Sequence, residues 1–324
     1  MDISVIICTF SRQGYLYKVL LDLLSQESVS QISYEVLVVD NNSTDNTKGV
    51  CEEFTTKYPD VFRYVFEERQ GKTFALNTGI RESRGRIVAF TDDDVVIDKR
   101  WLFSINQAFV VHRDCKAFGG RVLPLWPDTL PPWIAKEGVF RNTSGAIVEH
   151  DYGNMVKSYS PGMFPIGANM FFSREIFEKY GWFNEALNMK IKKLPMLEDM
   201  EFCNRLLKRK ENFLYIPDSV VYHPIYQDRL SKNYIRKHAF KSGRAQYIIN
   251  ANLNSKQLVL LSIQKNRRKI LNIPFYVINE IAGSLVKYIL AKINNNKQEV
   301  LYYEKRIIYN LGIVYEILSQ IKSK

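Results

Sequence analysis

Three consecutive aspartates, Asp92, Asp93 and Asp94, follow the apolar run 87–90 and precede a second apolar run, 95–97. A short apolar run rich in β-branched residues is typical of a buried strand. Three adjacent carboxylates at the end of such a strand repel one another and are costly to bury. A divalent cation would neutralise them, because Mg²⁺ binds one or two carboxylates together with phosphate oxygens. An Asp-rich turn is an equally good explanation, because Asp side chains often bond their own backbone.

Strands and helices alternate through the first hundred residues. The hydrophobic pattern predicts strands at 3–8, 35–39, 61–66 and 86–91 and helices at 13–26, 44–58, within 71–82 and at 98–112. This alternation predicts an α/β fold with a mainly parallel sheet flanked by helices. Ligands of such sheets bind beyond the carboxyl ends of the strands. Thr9, Asp40 and the aspartate triplet all follow strand ends, so we expect them at one edge of the sheet.

The chain between residues 113 and 224 is less regular. The stretch 119–165 is rich in Pro, Gly and Trp, and we interpret it as a lid or acceptor-side segment, with a purely structural excursion as the alternative. Further strands are predicted at 166–172, 213–216 and 219–222 and helices at 173–180 and 198–210. The last of these helices opens with Glu198, Asp199 and Glu201. A favourable interaction with the helix dipole explains one of these carboxylates well, but it explains all three less well.

The ordered set of motifs resembles the family 2 glycosyltransferases, which have the nucleotide-diphosphosugar transferase (GT-A) fold. The resemblance covers about residues 2–225 and depends on seven segments: SVIICTFSR (4–12), VLVVDNNSTDNT (36–47), GKTFALNTGI (71–80), GRIVAFTDDDV (85–95), GANMFFSRE (167–175), LEDMEFCNRL (197–206) and VYHP (221–224). It implies an inverting, metal-dependent transferase that moves a sugar from a nucleotide-diphosphate donor, with UDP favoured, to a hydroxyl on a carbohydrate or lipid-linked acceptor. Assembly of a polysaccharide or glycoconjugate is the implied role.

The same resemblance assigns the nucleotide pocket. Asp40 corresponds to the aspartate that accepts from a nucleobase N–H. Its alternative role is a turn or helix cap, although nearby Ser and Thr residues could fill that role. The nucleotide-binding residues that the resemblance implies are Thr9, Phe10, Arg12, Asp40, Asn42, Lys72, Asn77 and Asp92, with Asp92 on the ribose.

The resemblance also assigns the metal and the chemistry. Asp94 would hold Mg²⁺ or Mn²⁺, while Asp93 would be structural. His223 could reach the metal or the diphosphate, but a single His is more often a structural hydrogen-bonding group. Asp199 matches the catalytic base, and direct displacement by the acceptor implies inversion at the anomeric carbon. The residues implied at the donor and acceptor sugars are Gly167, Ala168, Asn169 and Glu198.

The composition bounds the remaining organisation. We predict a catalytic domain at 1–228 and a basic helical region at 229–324, because Lys and Arg crowd the segment after residue 229 and the net charge is +11. Within it, 256–292 has the pattern of an interfacial helix on an anionic membrane. Asn279, Glu280 and Lys287 argue against a membrane span at 273–290. The alternatives are a helical appendage packed on the catalytic domain or on a second copy of the chain.

Two other functions remain open from the sequence. A sugar nucleotidyltransferase would show a basic Gly-rich loop after the first strand, where this chain has CTFSRQGY. A nucleic-acid-binding protein would agree with the charge, but no binding motif is present, so we expect no nucleic-acid partner. Four scattered cysteines and the absence of a signal-peptide pattern predict reduced thiols and a cytoplasmic location. An interfacial helix within 256–292 would place the protein peripherally on the inner face of the cell membrane.

Overall fold

The computed structural model describes residues 1–141, 147–160, 163–186, 197–251, 269–270 and 272–322. The chain divides into two compact units. The first contains residues 1–125 and the described parts of 149–192 and 198–224, and the second contains the described parts of 126–148, 193–197 and 225–324. The predicted domain division after residue 228 stays a prediction. Within the described chain, no helix combines the length and the apolar character needed to cross a bilayer.

One nine-stranded sheet forms the centre of the first unit. Its strands are β1 (Ile3–Thr9), β2 (Tyr34–Asp40), β3 (Phe62–Phe66), β4 (Ile87–Asp92), β5 (Val96–Ile97), β6 (Ala117–Leu125), β7 (Lys157–Ser158), β8 (Met170–Ser173) and β9 (Phe213–Pro224). Their order is β3-β2-β1-β4-β8-β6-β9-β5, and β7 also pairs with β9. The four N-terminal strands are parallel to one another, and β6 is parallel to β9, whereas β8 runs antiparallel to both of its neighbours. The predicted α/β sheet is confirmed.

Helices connect these strands. They are α1 (Gln13–Leu24), α2 (Thr47–Lys57), α3 (Lys72–Glu82), α4 (Trp101–Val111), α5 (Glu175–Tyr180) and α6 (Leu197–Lys208). In α1 the buried side chains recur every three or four residues, which is the pattern of a helix with one face on the core. Helix α2 begins three residues later than predicted, because the Asp45 carboxylate accepts bonds from the Thr47 N–H (3.1 Å) and hydroxyl (2.5 Å). Asp45 therefore makes the capping turn.

The middle of the sheet differs most from the sequence prediction. The predicted irregular stretch 119–165 is wrong at its start, because β6 runs through Gly119 and Gly120. Here the glycines mark close approach of neighbours and not a loop: a Cβ on Gly119 would lie 2.2 Å from the Tyr159 hydroxyl, and one on Gly120 would lie 2.2 Å from Asn169 Nδ2. The two strands predicted at 213–216 and 219–222 are one strand, β9, with an irregularity in its pairing.

Aromatic packing beneath the strand ends fixes two elements. Phe90 on β4 contacts Phe183, and Phe183 contacts Phe202 on α6, with ring centroids 5.7 and 4.6 Å apart. All three rings are buried. Phe90 precedes Asp92 by two residues and Phe202 follows Asp199 by three, so one aromatic cluster positions the segments that carry both carboxylates.

Three helices dominate the second unit. They are α7 (Lys232–Ala251), α8 (Phe275–Ile293) and α9 (Lys297–Lys322), accompanied by a 3-10 turn (Gln227–Leu230) and a two-stranded hairpin, β10 (Lys269–Ile270) and β11 (Ile273–Pro274). Part of the predicted interfacial segment 256–292, namely 256–268 and 271, lies outside the described residues.

Helix α9 packs against both α7 and α8. Arg236 pairs with Glu304 (2.9 Å) and Arg244 with Glu316 (2.8 Å), a register that makes α7 and α9 parallel. The two backbones approach closely at Gly243, where an added Cβ would lie 1.9 Å from the Tyr309 carbonyl oxygen. A larger residue at this position would therefore push the helices apart.

A buried carboxylate at the amino end of β2 fixes the turn before β4. Glu35 is 1% exposed and accepts bonds from the Ser4 hydroxyl (2.6 Å), the Arg84 N–H (2.7 Å) and the Arg63 guanidinium (2.8 Å). Burial raises the pKa of Glu35, but these donors outweigh it and leave the pKa below its ordinary value. The sequence pattern gave no indication of this network.

We expect Glu35→Ala to lower the free energy of unfolding by about 3 kcal/mol, because it removes the acceptor of the buried Ser4 hydroxyl and the nearer of the two carboxylates that pair with Arg63. Urea unfolding monitored by circular dichroism measures the effect. The matched control is Glu52→Ala, which removes an exposed helical pair with Lys48 and should cost less than about 0.5 kcal/mol. Equal effects of the two substitutions would contradict a structural role for the network.

Candidate active site

The predicted strand ends meet at one edge of the sheet. Thr9 lies opposite Asp40 in the β1–β2 pairing, and Cys8 lies opposite Asp92 in the β1–β4 pairing. His223 is near the carboxyl end of β9, within the strand and not after it. The parallel register therefore gathers these residues, as the sequence predicts.

Within the described residues, one cluster of acidic and His side chains has the spacing of a metal site. Asp92, Asp94 and His223 each offer one ligand atom, and these atoms lie within 4.8 Å of one another. Asp94 Oδ1 lies 3.7 Å from His223 Nε2, and both side chains are buried. The sequence predicted Asp94 and His223 as ligands; the structure adds Asp92, which was assigned to the ribose.

The orientation of His223 suits a ligand. Its Nδ1 lies 3.0 Å from the carbonyl oxygen of Pro224, a contact in which Nδ1–H donates. In the neutral tautomer that this contact favours, Nε2 is free to bind a metal, and it faces Asp94. A backbone carbonyl that fixes the second ring nitrogen is a common support for metal-binding His.

This donor set fits a divalent cation. Two carboxylates with one neutral imidazole suit Mn²⁺, and the carboxylates alone suit Mg²⁺. Three protein ligands leave positions for phosphate oxygens or water in an octahedral site. Asp92, Asp94 and His223 would therefore hold the ion.

Arg12, at the start of α1, compensates the charge of the aspartates. Its guanidinium donates to Asp94 Oδ2 (2.6 Å) and to Asp93 Oδ1 (3.1 Å). Burial raises the pKa of Asp93 to about 6, and Arg12 offsets part of that effect. Arg12 thus holds Asp94 by one oxygen while the other oxygen faces His223.

Lys72, the first residue of α3, is the second cation of the site. Its Nζ lies 3.2 Å from Asp92 Oδ1. The charge of Asp92, and next that of Asp199, holds the pKa of Lys72 well above its ordinary value, although burial opposes this. Burial in turn raises the pKa of Asp92, but Lys72 reverses this and leaves it lowered. The ammonium therefore links the metal cluster to Asp199.

Asp199 is a buried carboxylate with one engaged oxygen. Oδ2 accepts the Gly167 N–H at 3.0 Å, whereas Oδ1 is buried without a hydrogen-bond partner. Burial raises the pKa of Asp199 to about 7, and Lys72 lowers it in part. A Cβ on Gly167 would lie 2.7 Å from Asp199 Oδ2, which explains the glycine. Glu198 adjoins Asp199 in the first turn of α6.

The predicted nucleotide side is centred on Asp40. Asp40 Oδ1 accepts the Ser43 N–H and Oδ2 accepts the Tyr64 hydroxyl, each at 2.9 Å. The turn bond that we considered as the alternative role of Asp40 is therefore present. Burial, and then Asp40, raise the pKa of Tyr64, so its hydroxyl stays a donor. Each oxygen retains a lone pair for a nucleobase N–H, and this role stays a prediction.

Three other residues of the predicted nucleotide site lie in different environments. Thr9 is buried, whereas Phe10 is 48% exposed. Asn42 has a left-handed backbone (φ 66°), and its Nδ2 donates to the Glu68 carbonyl oxygen at 3.2 Å.

Three predicted site residues have their polar groups engaged in the protein. Asn77 exchanges two hydrogen bonds with the Phe183 backbone, at 2.9 and 3.0 Å. Asn169 is fully buried and bonds the backbone of Arg121 and Ser219 and the Trp101 indole. Ala168 accepts the Thr91 hydroxyl through its carbonyl oxygen. Their nucleotide and sugar roles stay predictions. The hydrogen bonds show that these residues connect neighbouring segments of the chain.

Sequence reasoning missed the residues that fix the loop before Lys72. Asn41 Nδ2 donates to the Arg69 carbonyl oxygen and its Oδ1 accepts the Gly71 N–H, both at 2.7 Å. Glu67 binds the Arg69 guanidinium, which is the main reason that its pKa falls to about 2. The position of Asn41 directly after Asp40 was a usable signal, whereas Glu67 belongs to no motif.

A family model with the description glycosyl transferase family 2 matches residues 4–181, more than half of the chain. The chain belongs to this family. The predicted enzyme class, a glycosyltransferase, is confirmed, and neither the nucleotidyltransferase nor the nucleic-acid-binding alternative gains support. Asp40, Asp92 and Asp94 lie inside the matched range, whereas Asp199 and His223 lie beyond it.

Solved structures and relatives agree with this assignment. A mannosyltransferase from Pyrobaculum calidifontis, solved with GDP-Man and Mn²⁺, superposes with a TM-score of 0.63 over all of this chain and 88% of that one, at 16% identity, which confirms the GT-A fold. Glucosyl-dolichyl phosphate glucuronosyltransferase of Haloferax volcanii is 24% identical over 257 residues, 77% of this chain and 78% of that protein. Glycosyltransferase AglE of the same organism is 40% identical over 100 residues, which span 31% of this chain and 33% of its own length.

We expect Asp94→Asn and His223→Gln each to weaken Mn²⁺ binding by at least about tenfold, because each removes one ligand of the cluster. Calorimetric titration of Mn²⁺, alone and with UDP or GDP, measures the affinity. Asp114→Asn and His112→Gln, which lie outside the cluster, are the matched controls and should bind as the unmodified protein does. Unchanged affinity in both cluster variants would exclude a metal site here.

Proposed function

We propose that this chain is an inverting, metal-dependent glycosyltransferase that moves a sugar from a nucleotide-diphosphate donor to a hydroxyl acceptor. The observation that supports it best is that two features lie on either side of Lys72. A buried carboxylate, Asp199, has one oxygen without a partner. A divalent-cation cluster lies across Lys72 from it. Asp199 would accept a proton, and Asp92, Asp94 and His223 would hold a cation that binds the diphosphate.

Asp199 is the general base in this proposal. Its Oδ2 is held by the Gly167 N–H, so Oδ1 is the atom that takes the proton of the acceptor hydroxyl. The deprotonated oxygen then attacks the anomeric carbon as the bond to the diphosphate breaks. Because no protein group forms a bond to the sugar, a single displacement inverts the anomeric configuration.

The cationic side chains bind the leaving group. Lys72 and Arg12 both border the carboxylates that would hold the ion, and both keep their protons at neutral pH. Their charges would balance the diphosphate, and the charge of Lys72 lowers the pKa of Asp92. When bound, Mg²⁺ or Mn²⁺ would stabilise the negative charge of the departing nucleoside diphosphate.

We infer the donor from Asp40 and from a structural neighbour, and the acceptor from a relative. Asp40 can accept from uracil N3–H or from guanine, and we favour UDP. The structural neighbour was solved with GDP-Man, so both bases belong in the test. A relative is named for a glucosyl-dolichyl phosphate acceptor, which supports a lipid-linked or carbohydrate acceptor in glycoconjugate assembly.

The direct experiment is a panel of UDP- and GDP-linked hexoses, N-acetylhexosamines and hexuronic acids, scored for hydrolysis or transfer with Mg²⁺, Mn²⁺ or a chelator. We expect one donor class to be turned over only with a divalent cation. If no donor reacts, and Asp94→Ala leaves nucleoside-diphosphate binding and its metal dependence unchanged, the proposal fails.

We expect Asp199→Asn to lower kcat by about 10²- to 10⁴-fold, the usual contribution of a general base, because the amide cannot take the acceptor proton. Binding of the nucleoside diphosphate should stay within about twofold of the unmodified protein, and Asp114→Asn is the matched control. Loss of nucleotide binding together with activity would make Asp199 a structural residue instead.

The pH dependence gives an independent test of the same residue. Burial raises the pKa of Asp199 to about 7, so the carboxyl is protonated and inactive as a base below that pH. We expect kcat/KM to rise as the pH increases through neutrality, while nucleotide affinity changes little. A rate that is flat across this range would contradict the assignment of the base.

A further inference from the structure

Helix α8 exposes an apolar stripe in the second unit. Five of its residues are between 48% and 73% exposed: Leu285, Val286, Ile289, Leu290 and Ile293. We refer to these five as the α8 stripe. Large apolar side chains exposed singly are ordinary on protein surfaces, but five on the last three turns of one helix form a contiguous patch.

Helix geometry puts the stripe on one side. At about 100° per residue the five positions span an arc of about 140° and a length of about 12 Å. The buried residues Val277, Ser284 and Ala291 lie on the opposite side. There, α8 packs on α9: Val277 belongs to a cluster with Ile313 and Ile317. The α8 stripe therefore lies away from the side of the helix that packs on α9, and this packing does not explain why the stripe is apolar.

Charged residues border the stripe in a definite pattern. Lys287 and Lys292 are exposed and lie on either side of the arc. The single carboxylate of α8, Glu280, lies before the stripe and forms an ion pair with Arg306 of α9. An apolar face flanked by lysines, with no acid among them, is the arrangement of a helix that lies in a membrane interface, where long Lys side chains reach the phosphates.

The charges also argue against a second copy of the chain as the occupant. Two stripes that face each other would bring the lysines of both helices to the same border, and α8 offers no free acid to pair with them. An anionic bilayer provides both the apolar layer and the negative phosphates. The charge complementarity therefore favours lipid.

We propose that the α8 stripe docks this glycosyltransferase on the surface of a bilayer that contains anionic lipid, with the helix in the interfacial plane. The side chains of the stripe enter the acyl boundary, and Lys287 and Lys292 contact the headgroup phosphates. This surface would bring the enzyme to the layer in which lipid-linked acceptors reside. The docking itself needs neither donor nor metal, so its test is independent of the proposed reaction.

Co-sedimentation with vesicles measures the docking. The vesicles are phosphatidylcholine alone or with about one third phosphatidylglycerol. We expect the unmodified protein to sediment with the anionic vesicles, and Val286→Ser/Ile289→Ser/Ile293→Ser to lose at least about tenfold in affinity, because it removes apolar area from the stripe. Lys287→Gln/Lys292→Gln should lose the preference for anionic over neutral vesicles.

The matched control removes exposed valines elsewhere: Val110→Ser/Val111→Ser on α4, where the two side chains are 44% and 65% exposed. It should bind vesicles as the unmodified protein does, and circular dichroism should show that all variants are folded. Binding that is unchanged in the stripe variant, or no binding by the unmodified protein, overturns the proposal. So does a dimer in solution that the stripe variant converts to monomer, because the occupant would then be a second copy.

Discussion

Four carboxylates at one end of one sheet set the main constraint on this structure. Asp93, Asp94 and Asp199 are almost completely buried, and Asp92 is half-buried beside them. Two like charges 4 Å apart repel by about 4 kcal/mol at an effective dielectric constant of about 20, so such a group needs accompanying cations or bound protons to be stable. Arg12 and Lys72 supply two positive charges, and a divalent cation on Asp92, Asp94 and His223 would supply the rest.

Several elements of the fold fix the positions of these charged side chains. Parallel strands β1, β2 and β4 bring their ends together, Arg12 directly precedes α1, and Lys72 is the first residue of α3. Phe90, Phe183 and Phe202 connect β4 with α6, so the distance from the metal cluster to Asp199 depends on a rigid aromatic core. Asn41 and Glu67 fix the loop that leads to Lys72. Polar contacts and apolar packing therefore both determine how the charged side chains of the site are arranged.

Much of this site was predictable because its signals are local. The aspartate triplet and Asp40 follow apolar runs directly, and strand ends of a parallel sheet must converge. The resemblance assigned Asp92 only to the ribose, and no local pattern shows that the Asp92 carboxylate lies beside Asp94 and His223. Gly119 and Gly120 suggested a loop, since close approach of Tyr159 and Asn169 is a tertiary property. Glu35 acts through partners far away in sequence, so no spacing pattern could identify it.

Electron paramagnetic resonance of bound Mn²⁺ is the most direct test of a metal site at Asp92, Asp94 and His223. We expect Mn²⁺ in the presence of UDP or GDP to show magnetic coupling to one imidazole nitrogen and to phosphorus, because His223 and a diphosphate would both bind the cation. The nitrogen coupling should disappear in His223→Gln while the phosphorus coupling remains. If Mn²⁺ binds with nucleotide but shows no nitrogen coupling in the unmodified protein, His223 is not a ligand and the proposed metal site is wrong.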